Sequence, residues 1–202
     1  MPEGFVYLDD ALPGVYWDAK YASADNFTGR IVDGYHVNRV VGARELADAL
    51  REALTLAARR GLSFLLFDGY RPRRAVECFL RWARSPEDGR TKARHYPNIS
   101  KSDIVPLGYV AERSGHSRGG AIDLTLCAAS GGKPLDMGGG FDLMDVSSHH
   151  GAPGLSADAA AHRALLRDIM ESSGFAAYEK EWWHYSLNNE PFADTYFDFP
   201  IL

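Results

Sequence analysis

The sequence has few cysteines, which excludes two common ways of stabilising a chain of this size. Its 202 residues include only Cys78 and Cys127, which lie far apart and form no CxxC pair. A disulfide framework and a cysteine zinc site are therefore not expected. Both thiols are predicted to be free and buried, as unpaired cysteines commonly are.

Clustered basic charge and long apolar runs are also missing. The formal net charge of -5 argues against nucleic-acid binding, because such proteins need a basic surface to neutralise phosphates. The longest strongly apolar run, Leu62 to Phe67, is interrupted by Ser63, and no basic stretch followed by an apolar one opens the chain. The sequence predicts no membrane span and no signal peptide, and hence a cytoplasmic protein.

The composition is that of an ordinary globular protein, with 46% hydrophobic and 24% charged residues. The length fits one domain that spans residues 1–202 and buries one sizeable core. The sequence does not determine whether the chain forms a homo-oligomer.

Hydrophobic periodicity predicts helices and strands without regular alternation. Apolar residues three and four apart predict a helix from Ala43 to Arg60, capped by Gly61, and a second helix after Pro72. A third helix is predicted from Ser156 to about Gly174. Short apolar or aromatic stretches predict strands at 62–67, at 119–126 and, as a pair or a bent strand, at 175–187.

These elements favour an α+β fold with a mostly antiparallel central sheet flanked by helices. The polar segment from Ser85 to Leu107 predicts a long excursion, and loops of this length are commonly functional or mobile. In the strand at 119–126, Ile122 and Leu124 share one face and Asp123 lies on the other.

The stretch Ser114-Gly-His-Ser-Arg-Gly-Gly-Ala-Ile-Asp123 carries two candidate metal ligands. His116 and Asp123 are separated by Gly119 and Gly120, which permit a tight turn, so both side chains can reach one point. Catalytic zinc takes three ligands with nitrogen or carboxylate oxygen donors and leaves a position for water. A lone histidine is more often structural, and the pairing with Asp123 is what favours a metal site.

His184 is the best candidate for a third ligand, and Glu181 stands three residues before it. In a regular strand these two positions point to opposite faces, so Glu181 is predicted to lie in a turn just before the strand. The competing interpretation is an exposed glutamate and an amphipathic histidine beside core tryptophans. The remaining histidines are weaker candidates because they lack an acidic companion at ligand spacing, lie in a loop or occupy a polar helical face: His36, His95, His149, His150 and His162.

The motif Ser114-x-His116-x-x-Gly119-x-Ala121-x-Asp123, followed by Glu181-x-x-His184, resembles the zinc D,D-peptidases of the hedgehog-type fold. Within that group the chain is similar to the VanX-type D-alanyl-D-alanine dipeptidases of glycopeptide resistance. The similarity extends over essentially the whole length and includes several longer stretches: Trp17-Asp-Ala-Lys-Tyr21, Asp25-Asn-Phe-Thr-Gly29, Asp68-Gly-Tyr-Arg-Pro72, Tyr96-Pro-Asn98, Phe141-Asp142, Glu181-Trp-Trp-His-Tyr185 and Tyr196-Phe-Asp-Phe-Pro200.

The resemblance implies a role for each matching residue. His116, Asp123 and His184 would hold one Zn²⁺ per chain, Glu181 would act as general base and acid, and Arg71 would stabilise the oxyanion. Zinc acidifies water and polarises a carbonyl, which suits peptide hydrolysis. The implied reaction is hydrolysis of D-alanyl-D-alanine to two D-alanines, which depletes the wall precursor that glycopeptide antibiotics recognise.

A free dipeptide also needs a pocket that recognises an ammonium and a carboxylate. Asp142, beside three glycines, is the candidate for the ammonium, and Ser114 and Tyr21 are candidates for hydrogen bonds at the termini. Asp142 could instead simply end a turn. Two other functions stay open: a peptidase for longer wall peptides, and a zinc-stabilised binding module without turnover.

Overall fold

The computed structural model describes residues 1–202 and has an α+β architecture. The strands, in chain order, are β1 (Phe5–Tyr7), β2 (Tyr16–Trp17), β3 (Val41–Ala43), β4 (Leu62–Asp68), β5 (Ala121–Ala128), β6 (Phe175–Ala177) and β7 (His184–Leu187). The helices are α1 (Leu8–Ala11), α2 (Arg44–Ala58), α3 (Arg73–Arg84), α4 (Lys92–His95) and α5 (Ala157–Ser172).

Five strands form the central sheet in the order β2, β4, β5, β7, β6. Only the β2–β4 pair is parallel, and the other three pairs are antiparallel. β1 and β3 form a separate antiparallel ribbon. The predicted mostly antiparallel sheet flanked by helices is confirmed.

The helices begin and end close to where their capping residues predict. α2 buries Leu46 and Leu50 among its apolar positions, and Gly61 follows it at φ 70°. Ser156 caps α5 by accepting a hydrogen bond from the backbone N–H of Ala159 at 3.1 Å. For the terminal stretch 175–187 the sequence predicted either a pair of strands or one bent strand. The structure has the pair, β6 and β7.

The apolar core consists of two clusters. One face of the central sheet, which includes Leu66, Ile122 and Leu124, packs with apolar residues of α2 and α5. The second cluster is mostly aromatic and includes Tyr21 and Phe79. Asp123 alternates with Ile122 and Leu124 along β5, so it points away from the α2–α5 cluster, as predicted.

The excursion from Ser85 to Leu107 is partly regular. It contains α4 and a short 3₁₀ turn, Lys101–Asp103. Tyr96 is fully buried in it and lies edge-on to Trp82, with ring centroids 5.5 Å apart. This packing ties the excursion to α3.

Both cysteines are free and buried, as predicted. None of the helices is long and apolar enough to span a bilayer.

Candidate active site

The register of the sheet places three polar residues side by side at the end of the central strands. Asp123 on β5 pairs with Asp68 on β4 and with His184 on β7. The β4–β5 register shifts between Leu66 and Asp68, which indicates a bulge. Because a bulge reverses the alternation of side chains, Asp68 faces the same side as Asp123 rather than the side of Leu66.

His116 is presented by a 3₁₀ turn, Gly115–Arg118, directly before β5. The Ser114 hydroxyl caps this turn by accepting from the N–H of His116 at 3.3 Å. Gly119 ends the turn at φ 81°, and a Cβ there would lie 2.5 Å from the Phe5 ring. Only glycine fits this position without strain or a clash.

His116, Asp123 and His184 bring their ligand atoms together. Nε2 of His116 lies 3.1 Å from Nδ1 of His184 and 3.3 Å from Oδ2 of Asp123, and Nδ1 of His184 lies 3.0 Å from Oδ1 of Asp123. The ligand atoms of the three residues all lie within 4.8 Å of one another. Two imidazole nitrogens and one carboxylate oxygen form a donor set that suits zinc.

The orientation of His116 supports this assignment of ligand atoms. Its Nδ1–H donates to the carbonyl of Gly69 at 2.7 Å, which leaves the Nε2 lone pair free for a metal. Such a second hydrogen bond is typical of metal-ligating histidines. Burial opposes ionisation of Asp123, yet the neighbouring His116 and His184 rings hold the pKa of its carboxyl well below its usual range.

Glu181 lies in a turn immediately before β7, as predicted. The backbone N–H of His184 donates to the carbonyl of Glu181 at 3.2 Å, and the Glu181 carboxylate lies 3.8 Å from Nδ1 of His184. Burial, and then the negative charge of Asp123, raise the pKa of Glu181 to about 8. A bound divalent cation would lower this pKa by adding positive charge nearby.

Arg71 is held against the three candidate metal ligands by two carboxylates. Its Nε donates to Asp68 at 2.9 Å and its Nη2 to Asp123 at 3.3 Å. The other oxygen of Asp68 accepts from the Tyr35 hydroxyl at 2.7 Å. Sequence reasoning assigned no role to Asp68 or Tyr35, although an aspartate at the end of a buried strand was a usable signal.

Asp142 lies buried at another side of the same site. The Tyr21 hydroxyl lies 3.2 and 3.0 Å from its two carboxylate oxygens, and Nδ1–H of His95 donates to its backbone carbonyl at 3.1 Å. Burial, together with the charge of Asp123, raises the pKa of Asp142 well above its usual range. Its φ of 58° is left-handed, a conformation that few non-glycine residues adopt.

One cavity of about 230 Å³ is lined by all eight residues that the sequence singled out. They are Tyr21, Arg71, Ser114, His116, Asp123, Asp142, Glu181 and His184. Aromatic residues complete much of the wall, among them Phe79, Tyr109, Tyr178 and Trp183.

Two further features that the sequence raised lie near the cavity. The segment Gly108–Ala111, which directly follows the excursion at 85–107, lines the cavity, and no residue of the excursion itself does. His149, one of the competing histidines, is hydrogen-bonded through Nε2 to the Tyr109 hydroxyl at 3.1 Å and stands outside the ligand cluster.

Comparison with known proteins identifies the family of this chain. The family model described as D-ala-D-ala dipeptidase matches residues 1–202. Proteins named D-alanyl-D-alanine dipeptidase are 55% identical in Enterococcus faecium and 56% identical in Streptomyces coelicolor, in both cases over 100% of each chain. One from Escherichia coli is 35% identical over 87% of this chain and 80% of its own length. The chain therefore belongs to the D-Ala-D-Ala dipeptidase family of peptidases.

Proposed function

We propose that this protein is a zinc-dependent dipeptidase that hydrolyses D-alanyl-D-alanine to two D-alanines. The observation that carries the proposal is the convergence of His116, Asp123 and His184 beside Glu181 and Arg71 in one cavity. The activity named for the relatives supports the substrate, and the preference for D,D stereochemistry rests on those relatives alone.

His116, Asp123 and His184 would hold one zinc ion per chain. When bound, the ion supplies Lewis-acid polarisation of the scissile carbonyl and makes water more acidic. The protein contributes the orientation of the ligands: the Gly69 carbonyl fixes the ring of His116, and Asp123 bridges toward both histidines. Such outer hydrogen bonds commonly strengthen metal binding.

Glu181 would take a proton from the attacking water and deliver it to the leaving amine. Its carboxylate lies within reach of the ligand cluster without belonging to it, 3.8 Å from the nearest ligand nitrogen. Proton transfer by a positioned side chain typically accelerates a reaction by about 10² to 10⁴.

Arg71 would stabilise the negative charge that develops on the carbonyl oxygen. Its guanidinium is permanently charged, and Asp68 and Asp123 hold it at the cavity wall, so it need not reorganise during the reaction. The faces of Tyr21 and Phe79 lie 5.1 and 5.2 Å from it and exclude water from that side.

Asp142 and Tyr21 would bind the free ammonium of the dipeptide, and Ser114 would border the substrate close to the ligand turn. A buried carboxyl that accepts from only one hydroxyl is suited to a cationic partner. The cavity of about 230 Å³ is small compared with sites for drug-sized ligands, which typically measure about 300–1,000 Å³. Both features favour a dipeptide over a longer wall peptide.

Removal of this dipeptide would support resistance to glycopeptide antibiotics, because it depletes the precursor whose D-alanyl-D-alanine terminus those drugs bind. The competing function is cleavage of longer wall peptides. Rates on D-alanyl-D-alanine and on a tripeptide that ends in D-alanyl-D-alanine separate the two. We expect strong preference for the dipeptide, and faster cleavage of the tripeptide would reject the proposed substrate.

The role of Glu181 is tested by Glu181→Gln, with zinc content and dipeptide hydrolysis measured on the same preparation. We expect zinc to be retained and kcat to fall by about 10² to 10⁴. Glu179→Gln is the matched control, since Glu179 is an exposed glutamate in the same turn. If Glu181→Gln keeps zinc and turns over within about threefold of the wild type, Glu181 is not the base. If it loses zinc, the division between ligands and base is wrong.

A further inference from the structure

A buried arginine lies behind the loop that carries Asp142. We call residues 137–149 the Asp142 loop. Arg163 on α5 is only 3% exposed, and its Nε donates to the carbonyl of Met137 at 2.6 Å. Its Nη1 donates to the carbonyls of Ser147 at 2.9 Å and His149 at 3.2 Å. One guanidinium thus joins the two ends of the loop.

This arrangement costs free energy. All of the hydrogen-bond partners of Arg163 are neutral carbonyls, and its Nη2 is buried without any partner. Burial lowers the pKa of Arg163, and the negative charge of Asp136 offsets this only in part and without an ion pair. A buried charge without a close counter-charge is destabilising, and an apolar side chain of similar volume often packs better. Simple packing of α5 against the loop therefore does not account for an arginine at this position.

The loop needs support because of the conformation at its centre. Asp142 has a left-handed backbone at φ 58°, and such residues persist only where their surroundings hold them. His95 holds the middle of the loop, since its Nδ1–H donates to the Asp142 carbonyl and its own carbonyl accepts from the N–H of Met144 at 2.7 Å. Arg163 holds the two ends.

The end of the Asp142 loop is also joined to the turn that carries Glu181. The N–H of Trp182 donates to the carbonyl of Ser148 at 3.0 Å, and the N–H of His150 donates to the carbonyl of Glu179 at 2.9 Å. The Arg163 guanidinium lies 5.6 Å from the centre of the Trp182 ring. Arg163 therefore contacts both the Asp142 loop and the turn that carries Glu181. The relative position of these two segments sets the distance between Asp142 and Glu181.

We propose that Arg163 is a positioning residue that sets the place of the Asp142 carboxylate relative to Glu181. It thereby makes the site selective for a substrate whose free ammonium lies one residue from the scissile bond. The inference rests on the proposed binding of the ammonium by Asp142. It makes Arg163, which does not line the cavity, a determinant of substrate length.

The test is steady-state kinetics of Arg163→Met on D-alanyl-D-alanine, in the wild-type background and in Asp142→Asn. We expect KM to rise about tenfold or more in the wild-type background, while kcat changes by less than about threefold and zinc content is unchanged. In Asp142→Asn, the added Arg163→Met substitution should raise KM by less than about twofold, because the contact it positions is already lost. Arg167→Met is the matched control. Arg167 lies one turn further along α5, is partly exposed, and pairs with two exposed glutamates, Glu171 and Glu179, so its loss should leave KM unchanged.

Each other outcome contradicts the proposal in a different way. An equal rise of KM in both backgrounds would show that Arg163 acts elsewhere than through Asp142. A fall of kcat and zinc content at constant KM would show a general structural role. If Asp142→Asn alone leaves KM unchanged, the ammonium site itself is wrong. If Arg163→Met does not fold, Arg163→Lys provides the same comparison, with a smaller rise of KM that again depends on Asp142.

Discussion

At the scale of single residues, the site contains more negative than positive charge. Four carboxylates, Asp68, Asp123, Asp142 and Glu181, surround one guanidinium, that of Arg71, which is 13% exposed. This excess helps to raise the pKa of Glu181 and of Asp142, after burial itself. A divalent cation at the three ligands and a substrate ammonium at Asp142 are the charges that would compensate it.

Asp68 is predicted to act through Arg71. Asp68→Asn removes the charge that holds Nε of Arg71 at 2.9 Å, while an amide of the same size preserves the packing. We expect kcat to fall by about 10- to 100-fold with zinc retained, because the guanidinium loses its fixed orientation. The measurement is kcat together with zinc content.

Tyr35→Phe provides the graded comparison, since it removes only the hydroxyl that donates to Asp68. We expect a smaller fall in kcat than for Asp68→Asn. An Asp68→Asn enzyme with wild-type kcat would show that Arg71 does not need this carboxylate.

At the scale of elements, β5 is the strand that organises the site. The 3₁₀ turn before it presents His116, its third residue is Asp123, and its neighbours contribute Asp68 and His184. The end of this turn depends on Gly119, where φ is 81° and the Phe5 ring leaves no room for a Cβ. Phe5 has little freedom to move, because four aromatic rings surround it: Tyr70, Phe192, Phe197 and Phe199.

Gly119→Ala is therefore expected to destabilise the protein more than the same substitution at an ordinary left-handed glycine. Gly131→Ala is the matched control, since Gly131 has a similar φ of 84° but no atom within 4 Å of the place where a Cβ would lie. We expect a loss of about 1–2 kcal/mol in the free energy of unfolding for Gly131→Ala, from the backbone alone. For Gly119→Ala we expect about 1–3 kcal/mol more, from the clash. Denaturant unfolding measures both, and equal losses would show that the Phe5 contact is unimportant.

Local patterns predicted the elements and the candidate ligands that depend on nearby residues. The glycines after His116 predicted the tight turn, and the alternation in β5 predicted the direction of Asp123. The spacing of Glu181 and His184 predicted a turn before β7. The resemblance suggested by the motifs is confirmed. Asp68 was missed because its direction depends on a bulge whose register is set by β5, far along the chain. Arg163 was missed because a buried arginine on an amphipathic helix has the same local pattern as an exposed one.

At the scale of the whole molecule, two histidines away from the candidate metal ligands, the buried His95 and the half-buried His150, couple folding to pH. Burial lowers the pKa of His95 and of His150 below its ordinary value of about 6.5. At pH values between the folded and the unfolded pKa of these histidines, the unfolded chain binds more protons than the folded chain does. The contribution of these two histidines to the free energy of unfolding should therefore be fully retained above about pH 6.5 and decrease as the pH falls below it.

The double variant His95→Gln/His150→Gln should show a weaker decrease than the wild type. Urea unfolding between about pH 7.5 and about pH 5 measures the difference, and the shared loss of metal at low pH cancels between the two proteins. Parallel pH profiles for variant and wild type would show that these two histidines do not contribute.

The central claim, that one zinc ion is held by His116, Asp123 and His184, is tested most directly by zinc K-edge X-ray absorption on the zinc-loaded protein. We predict one zinc per chain with nitrogen and oxygen neighbours at about 2.0–2.2 Å, two of them imidazoles, and loss of this signal in Asp123→Ala. A sulfur neighbour at about 2.3 Å, or an unchanged spectrum at full zinc occupancy in Asp123→Ala, would contradict the account.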